Sequence, residues 1–354
     1  MSKSKYYSSK KLRKVDCDYY IIIGKRSNGK SFDIKSLCLK EAYEGLGNFV
    51  YLRRWHHERT AAKTEQYFKD SALFEVAKIQ GYSEVQCYTD KIYLGNINDK
   101  GQKTREKLVG YSLALSSDTH YKSLAFPDVK NIIFEEFITD SGYLGNDEPT
   151  IFSSVLSTVA RDKKVTVYMI GNTINRFCPY FSEWGININD IKQGEIVYYD
   201  FNNGDNHIKV GIEYCNDNIN TGKMILGNSA KMIDGGEWQT SKVPLVRRET
   251  RHDKLLFKYY VKKENSLYKC LVLNGNGEPY IFVYPYYNED KITDKDRYFT
   301  DTIEMTDLMH NQDLTKKLSC DILLLELYKL NRVCYSDSLT GTEFEIIRNE
   351  RGWR

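Results

Sequence analysis

The sequence predicts an α/β fold of two unequal domains: a largely parallel-sheet layer, then a smaller, β-rich α/β unit. Strand-like and helix-like segments alternate through the first half, and one apolar strand runs through a glycine-rich turn straight into a helix. After about Phe201 the texture changes to clusters of Asn, Gly, Asp and Ser, then to a series of short β segments. With 354 residues the chain is about twice the usual domain size, which agrees with two domains.

Asp18–Ile23 (DYYIII) is a β-branched and aromatic run stopped by Gly24, and reads as a buried strand. Residues 31–44 place Phe32, Leu37, Leu39, Ala42 and Tyr43 near helical spacing. Asn48–Trp55 is a second strand and His56–Ala77 a helical stretch. VQCYT and KIYLGNI predict a hairpin, and KLVGYSLAL a further strand. Asn131–Phe134 is a buried strand, Ile151–Ala160 a helix and Lys164–Ile170 another strand. These elements make a first domain over residues 1–202; residues 203–250 read as a linker subdomain with a few short strands. In a second domain, 251–354, LLFKYYVKK, LYKCLVLN, PYIFVYPYY and RYFTDTIEM form β segments. A helix follows at Leu314–Leu330, with Leu318, Ile322, Leu325 and Tyr328 on one face.

Composition narrows the class. Hydrophobic residues make up 41% and charged residues 28%, the profile of a soluble globular protein, and no apolar run is long enough for a bilayer span. The basic start lacks the apolar core of a signal peptide, so a cytoplasmic protein is expected. Eight scattered cysteines without a CxxC pair read as reduced, mostly buried thiols. Net charge is only +3, but Lys3, Lys5, Lys10, Lys11, Arg13 and Lys14 precede any acid. That stretch is either a solvated tail or an arm that attracts phosphate backbones.

Gly24-Lys25-Arg26-Ser27-Asn28-Gly29-Lys30-Ser31 fits G-x-x-x-x-G-K-[ST] between the first strand and the first helix. In that context the loop N–H groups and the helix N-terminus can wrap a nucleotide β-phosphate. Lys30 would neutralise the β- and γ-phosphates of ATP, and the Ser31 hydroxyl would ligate Mg²⁺.

A second, acidic element completes such a site. Ile132–Glu136 (IIFEE) is a buried strand ending in paired carboxylates, and in a parallel sheet its end lies at the same edge as the loop. Glu135 would hold Mg²⁺ while Glu136 polarises the attacking water. Asn172 or Thr173, at the end of the next strand, would bond the γ-phosphate or the water; an ordinary strand-end turn is the alternative. Arg26 and Arg161 are placed to stabilise transition-state charge, the first in cis and the second from a neighbouring subunit, with Lys122 a further candidate in trans. Arg53 and Arg54 end the second strand and either face a ligand or are solvated.

The strand into the G-x-x-x-x-G-K-S loop, then IIFEEF about a hundred residues later, then VARDKKVTVYMIGNT and NRFCPYF, resembles the DNA-packaging (encapsidation) ATPases of small tailed phages with protein-primed genomes. The likeness spans roughly residues 15–185. It implies an ASCE-type, terminase-like P-loop ATPase that uses ATP and Mg²⁺ and forms a homo-oligomeric ring, usually a pentamer, on the capsid portal. Such rings drive double-stranded DNA into the procapsid, in the best-known relatives with a structural packaging RNA as intermediary. The setting implied is the host cytoplasm, with transient attachment to the procapsid vertex and no membrane partner. In the same family the second domain resembles a ribonuclease H fold without its nuclease centre, and here the segment Leu255–Lys263 carries no acid. One departure is that Glu135 stands where packaging motors normally have aspartate. The alternatives are another P-loop ATPase, a helicase-like remodeller or a nucleotide kinase, and a DNA-binding protein with an inactive loop.

Overall fold

The computed structural model describes residues 6–139, 142–203, 206–216, 237–240, 242–245, 252–293, 296–300 and 314–353. Described residues up to Glu237 belong to one compact unit and those from Trp238 to a second.

The first unit contains β1 (Tyr19–Gly24), α1 (Lys30–Tyr43), β2 (Asn48–Arg53), α2 (Ala61–Phe68), α3 (Ser71–Ala77), β3 (Glu84–Tyr88), β4 (Lys91–Gly95) and β5 (Lys107–Ala114). It continues through β6 (Val129–Glu135), α4 (Glu148–Ala160), β7 (Thr166–Asn172), α5 (Pro179–Glu183), β8 (Ile196–Asn203) and β9 (Asn206–Tyr214). The strands form one sheet in the order β3-β4-β5-β2-β6-β7-β1-β9-β8. From β5 to β9 every neighbouring pair is parallel, while β3, β4 and β8 add antiparallel edges.

Central parallel strands are covered on both faces, which is why they read as nearly unbroken apolar runs. Tyr20, Ile22, Ile133 and Tyr168 pack with Ile34, Cys38 and Leu39 of α1 in one buried cluster. On the opposite face Phe134 stacks on Phe152 of α4, ring centroids 5.6 Å apart, and meets Tyr180 of α5 edge-on at 5.8 Å. Because the central strands run the same way, Gly24, Glu135 and Asn172 finish at one edge of the sheet.

Two expectations need correction here. The stretch His56–Ala77 is not one helix: a single turn at His56–Glu58 is followed by α2 and α3. The breaks are set by side-chain caps, Thr60 accepting from the Lys63 amide and Asp70 from the Ala72 amide. The linker expected at 203–250 in part belongs to the first sheet, because β9 inserts beside β1 in parallel register with Val210 and Ile212 buried. Of the NNGDN cluster that suggested a loop, Asn202 and Asn203 end β8 and Asn206 begins β9. Residues 217–236 and 246–250 of that stretch lie outside the described residues.

In the second unit β10 (Lys254–Lys263), β11 (Ser266–Gly275) and β12 (Glu278–Pro285) form an antiparallel meander. The short strand β13 (Arg297–Phe299) runs parallel to β10 at one edge, and β14 (Val333–Tyr335) parallel to β12 at the other. The helices α6 (Leu314–Lys329) and α7 (Ser338–Glu350) complete it. The strand expected through RYFTDTIEM is described only as β13, since 301–313 lie outside the described residues. On α6 the expected apolar face is corrected: Ile322 and Leu325 are 57% and 44% exposed, whereas Leu324, Leu327 and Tyr328 are buried. Tyr328 fixes the helix rotation, its hydroxyl lying 2.5 Å from that of Tyr259 in the sheet core. Among the described residues no helix is long and apolar enough to cross a membrane. All eight cysteines are free and six of them are buried.

Candidate active site

The loop between β1 and α1 is shaped by two residues in the left-handed region, Ser27 at φ 61° and Gly29 at φ 97°. At Gly29 the missing side chain matters for space as well, because a Cβ would approach Tyr6 Cβ at 3.3 Å. The Lys30 amide donates to Asn28 Oδ1 at 3.1 Å, and Lys25 and Asn28 are both buried. Lys30 folds back over the loop: its ammonium donates to Gly24 O at 3.0 Å and Lys25 O at 2.6 Å, with Asn172 Oδ1 at 3.4 Å. Burial pulls the Lys30 pKa down to about 8, the nearby Cys215 and Glu135 opposing the shift. A negatively charged ligand at this ammonium would favour its charged form and offset the effect of burial.

Ser31 donates its hydroxyl to Glu135 Oε2 at 3.1 Å. The other carboxylate oxygen accepts from the Tyr67 hydroxyl at 2.5 Å. Burial raises the Glu135 pKa, opposed by the hydrogen bonds from Tyr67 and Ser31 and by Arg53. A hydroxyl and a carboxylate oxygen side by side are hard oxygen donors, the set that suits Mg²⁺. Glu136 follows at φ 56° with its carboxylate on Arg53, Oε2 to Nη2 2.8 Å, and Arg53 also reaches Glu58 at 3.4 Å. Next to it, Arg54 is buried against Glu148 at 2.7 Å and donates to the backbone oxygens of Glu136 and Phe137. Neither arginine is solvated in the way the sequence allowed.

A cleft of about 990 Å³ lies at this edge, and Arg26, Lys30, Ser31, Glu135, Glu136 and Asn172 are among the residues that line it. Arg26 is exposed there, and Thr173, which follows Asn172 in the chain, is buried. Arg161 is not among the lining residues; it caps α4 at φ 50° and donates to Leu124 O at 2.7 Å. Lys122 is exposed, 3.9 Å from Asp118.

Three features of the site were missed or left open by sequence reasoning. Tyr67 comes from α2, where an aromatic at helical spacing reads as core. Arg53 and Arg54 had no partners visible in one dimension. The third is the N-terminal segment, which in its described part is no solvated tail: the Tyr7 amide donates to Asn28 O at 2.9 Å and the Tyr7 hydroxyl to Glu213 Oε2 at 2.8 Å. Ser9 donates its amide and hydroxyl to Asp33 Oδ2 at 2.9 and 2.5 Å, and Leu12 is fully buried. Lys3 and Lys5 lie outside the described residues.

Comparison with known proteins follows the same line. The chain is 28% identical over 204 residues to the DNA packaging protein of Bacillus phage phi29, covering 56% of each. With that of Bacillus phage B103 it shares 29% over 171 residues, 47% of each. The chain thus spans about half the length of the curated relatives it matches. Among solved structures it resembles the bacteriophage Phi-29 viral genome packaging motor assembly with a TM-score of 0.57 at 20% identity, over 99% of this chain and 100% of that one. The Phi-28 gp11 DNA packaging motor gives a TM-score of 0.50 at 17% identity, over 98% of each chain. At these identities the likeness concerns the fold. A family model for the podovirus DNA encapsidation protein (Gp16) matches residues 1–320, and the chain belongs to that family.

Proposed function

We propose that the chain is an ATP-driven motor that translocates double-stranded DNA into a viral procapsid. The observation that carries this reading is the meeting of Lys30, Ser31, Glu135 and Glu136 at one sheet edge, with Ser31 and Glu135 in contact at 3.1 Å. ATP would lie in the 24–31 loop, with backbone N–H groups and Lys30 on its phosphates and Asn172 beside the γ-phosphate. Ser31 and Glu135 would hold Mg²⁺, which when bound supplies charge neutralisation and orients the phosphates. Glu136 takes the proton of the attacking water once its carboxylate leaves Arg53, and Arg26 stabilises charge in cis.

Arg161 lies outside the cleft lining and would serve a neighbouring subunit, which requires a homo-oligomeric ring; the family resemblance suggests a pentamer. The partners we propose are double-stranded DNA, the capsid portal and, if one is required, a structural packaging RNA, in the host cytoplasm at the procapsid vertex. In the second unit we propose a ribonuclease H-like docking module without nuclease activity. The meander β10–β12, with β13 parallel to its first strand and no acid in Leu255–Lys263, supports that assignment.

The test is ATP hydrolysis by the purified chain with and without DNA, together with nuclease protection of DNA mixed with procapsids. ATP-dependent protection that vanishes with Lys30→Ala is expected. Hydrolysis without any protected DNA would overturn the translocation reading and leave only an ATPase.

A further inference from the structure

We propose that Tyr67 is a positioning residue that fixes the Glu135 carboxylate for the metal ion, and so lets glutamate work at this position; the proposal rests on the ATPase reading above. The two oxygens of Glu135 have different tasks. Oε1 accepts the Tyr67 hydroxyl at 2.5 Å and Oε2 the Ser31 hydroxyl at 3.1 Å. Glutamate has one more rotatable bond than aspartate, so an unassisted carboxylate at this strand end would sample more than one direction. Pinning one oxygen removes that freedom and leaves the other oxygen beside the hydroxyl that would share the cation.

The phenol can act as a pin because its own ring is held. It stacks on Tyr51, centroids 4.5 Å apart at 22°, and meets Phe68 edge-on at 5.0 Å. Lys35 donates to the Tyr67 backbone oxygen at 2.7 Å, and its ammonium lies 4.8 Å from the ring centroid. Tyr51 is on β2, which pairs with β6, the strand that delivers Glu135. The pin and the carboxylate therefore share one rigid frame.

A hydroxyl that orients a ligand oxygen affects the metal more than the nucleotide. Tyr67→Phe keeps the ring and removes only the pin, and is expected to weaken Mn²⁺ binding in the presence of ADP about 10–100-fold, read by electron paramagnetic resonance. Binding of a fluorescent ADP analogue in EDTA should not change. Glu135→Asp withdraws the carboxylate from Tyr67 and should weaken Mn²⁺ similarly. In the Tyr67→Phe background it should add little, because both changes break the same contact.

Equal Mn²⁺ affinity for Tyr67→Phe and wild type would overturn the proposal while leaving the ATPase reading intact, as would fully additive losses in the double variant. Failure of the wild-type chain to bind Mn²⁺ with ADP at all would overturn both. Glu135→Asp also serves as the independent route to the answer if Tyr67→Phe is poorly folded.

Discussion

Arg54 and Glu148 form a buried ion pair, Nε to Oε2 2.7 Å, that ties the end of β2 to the start of α4. The remaining guanidinium nitrogens donate to Glu136 O at 3.0 Å and Phe137 O at 2.7 Å. Glu148 in turn accepts from the Tyr180 hydroxyl at 2.9 Å and the Leu144 amide at 2.8 Å. The pair therefore clamps the backbone turn where Glu136 takes φ 56°, a conformation that costs about 1–3 kcal/mol in a residue other than glycine. Arg54→Ala leaves a buried carboxylate without its cation and should destabilise the chain by about 3–5 kcal/mol. Arg54→Lys should not rescue it, since one ammonium cannot span the three acceptors. Urea unfolding of the two variants checks this, and a loss below about 1 kcal/mol would mean that the pair behaves as a surface one.

In the proposed assignment Lys30 and Glu136 act at different steps, so their variants should fail differently. Lys30→Ala removes the ammonium held between Gly24 O and Lys25 O and should abolish hydrolysis together with tight ATP binding. Glu136→Gln should keep ATP and hydrolyse it at least about a hundredfold more slowly. Single-turnover kinetics beside nucleotide-binding titrations separate the two. Normal turnover in either variant would remove that residue from the site.

The central sheet and the 24–31 loop were legible because their signals are local. DYYIII, IIFEE and KVTVYMI are short apolar runs with polar ends, and the glycine spacing of the loop leaves few other readings. What the sequence hid depends on contacts between distant residues. β9 reads as loop because its neighbour Asn203–Asn206 is turn chemistry, yet pairing with β1 at Tyr19↔Val210 decides its place. Tyr67 joins Glu135 across 68 residues and Tyr7 joins Glu213 across 206, separations no periodicity reports. On α6 the stripe Leu318, Ile322, Leu325 and Tyr328 is an acceptable apolar face, and only the partner sheet keeps Tyr328 and selects Leu324 and Leu327 in place of Ile322 and Leu325.

The last helix supplies a pH-dependent marker. Asp337 caps α7: its carboxylate accepts from the Thr340 amide at 2.9 Å and from the Thr340 hydroxyl at 2.6 Å. Burial alone would raise its pKa, but the hydrogen bonds from Thr340 and Ser336 prevail and hold it below the ordinary carboxylate value. A depressed folded pKa means that the capping contribution is complete above about pH 4 and is lost as pH falls through the lower folded value. Asp337→Asn keeps a capping oxygen but has no charge to titrate, so its cost should be under about 1 kcal/mol near pH 6 and should shrink on acidification. Hydrogen exchange of the amides at 340–343 from pH 6 down to pH 3 reads this directly. A cost that grows as pH falls would contradict the assignment.

Arg161 is the residue whose proposed role depends most on assembly. It stands at the C-terminal end of α4, outside the cleft lining, with its guanidinium exposed and bonded to Leu124 O at 2.7 Å. It precedes β7, whose far end at Asn172 reaches the cleft, and the N-terminal end of α4 is fixed by Arg54 on Glu148. In a ring, the same position would face the next subunit, where a guanidinium contributes about 10³–10⁵ to phosphoryl transfer. Arg161→Ala alone should therefore fold and bind ATP but hydrolyse very slowly. Arg161→Ala subunits keep an intact loop and Lys30→Ala subunits keep the arginine, so in mixed rings of these two inactive variants a site is complete wherever an Arg161→Ala loop meets a Lys30→Ala neighbour. An equal mixture of the two should therefore recover about a quarter of the wild-type activity. Mixing must be allowed to exchange subunits before DNA and ATP are added, and each variant alone provides the reference. No recovered activity would show that the arginine acts within its own subunit or only on structure.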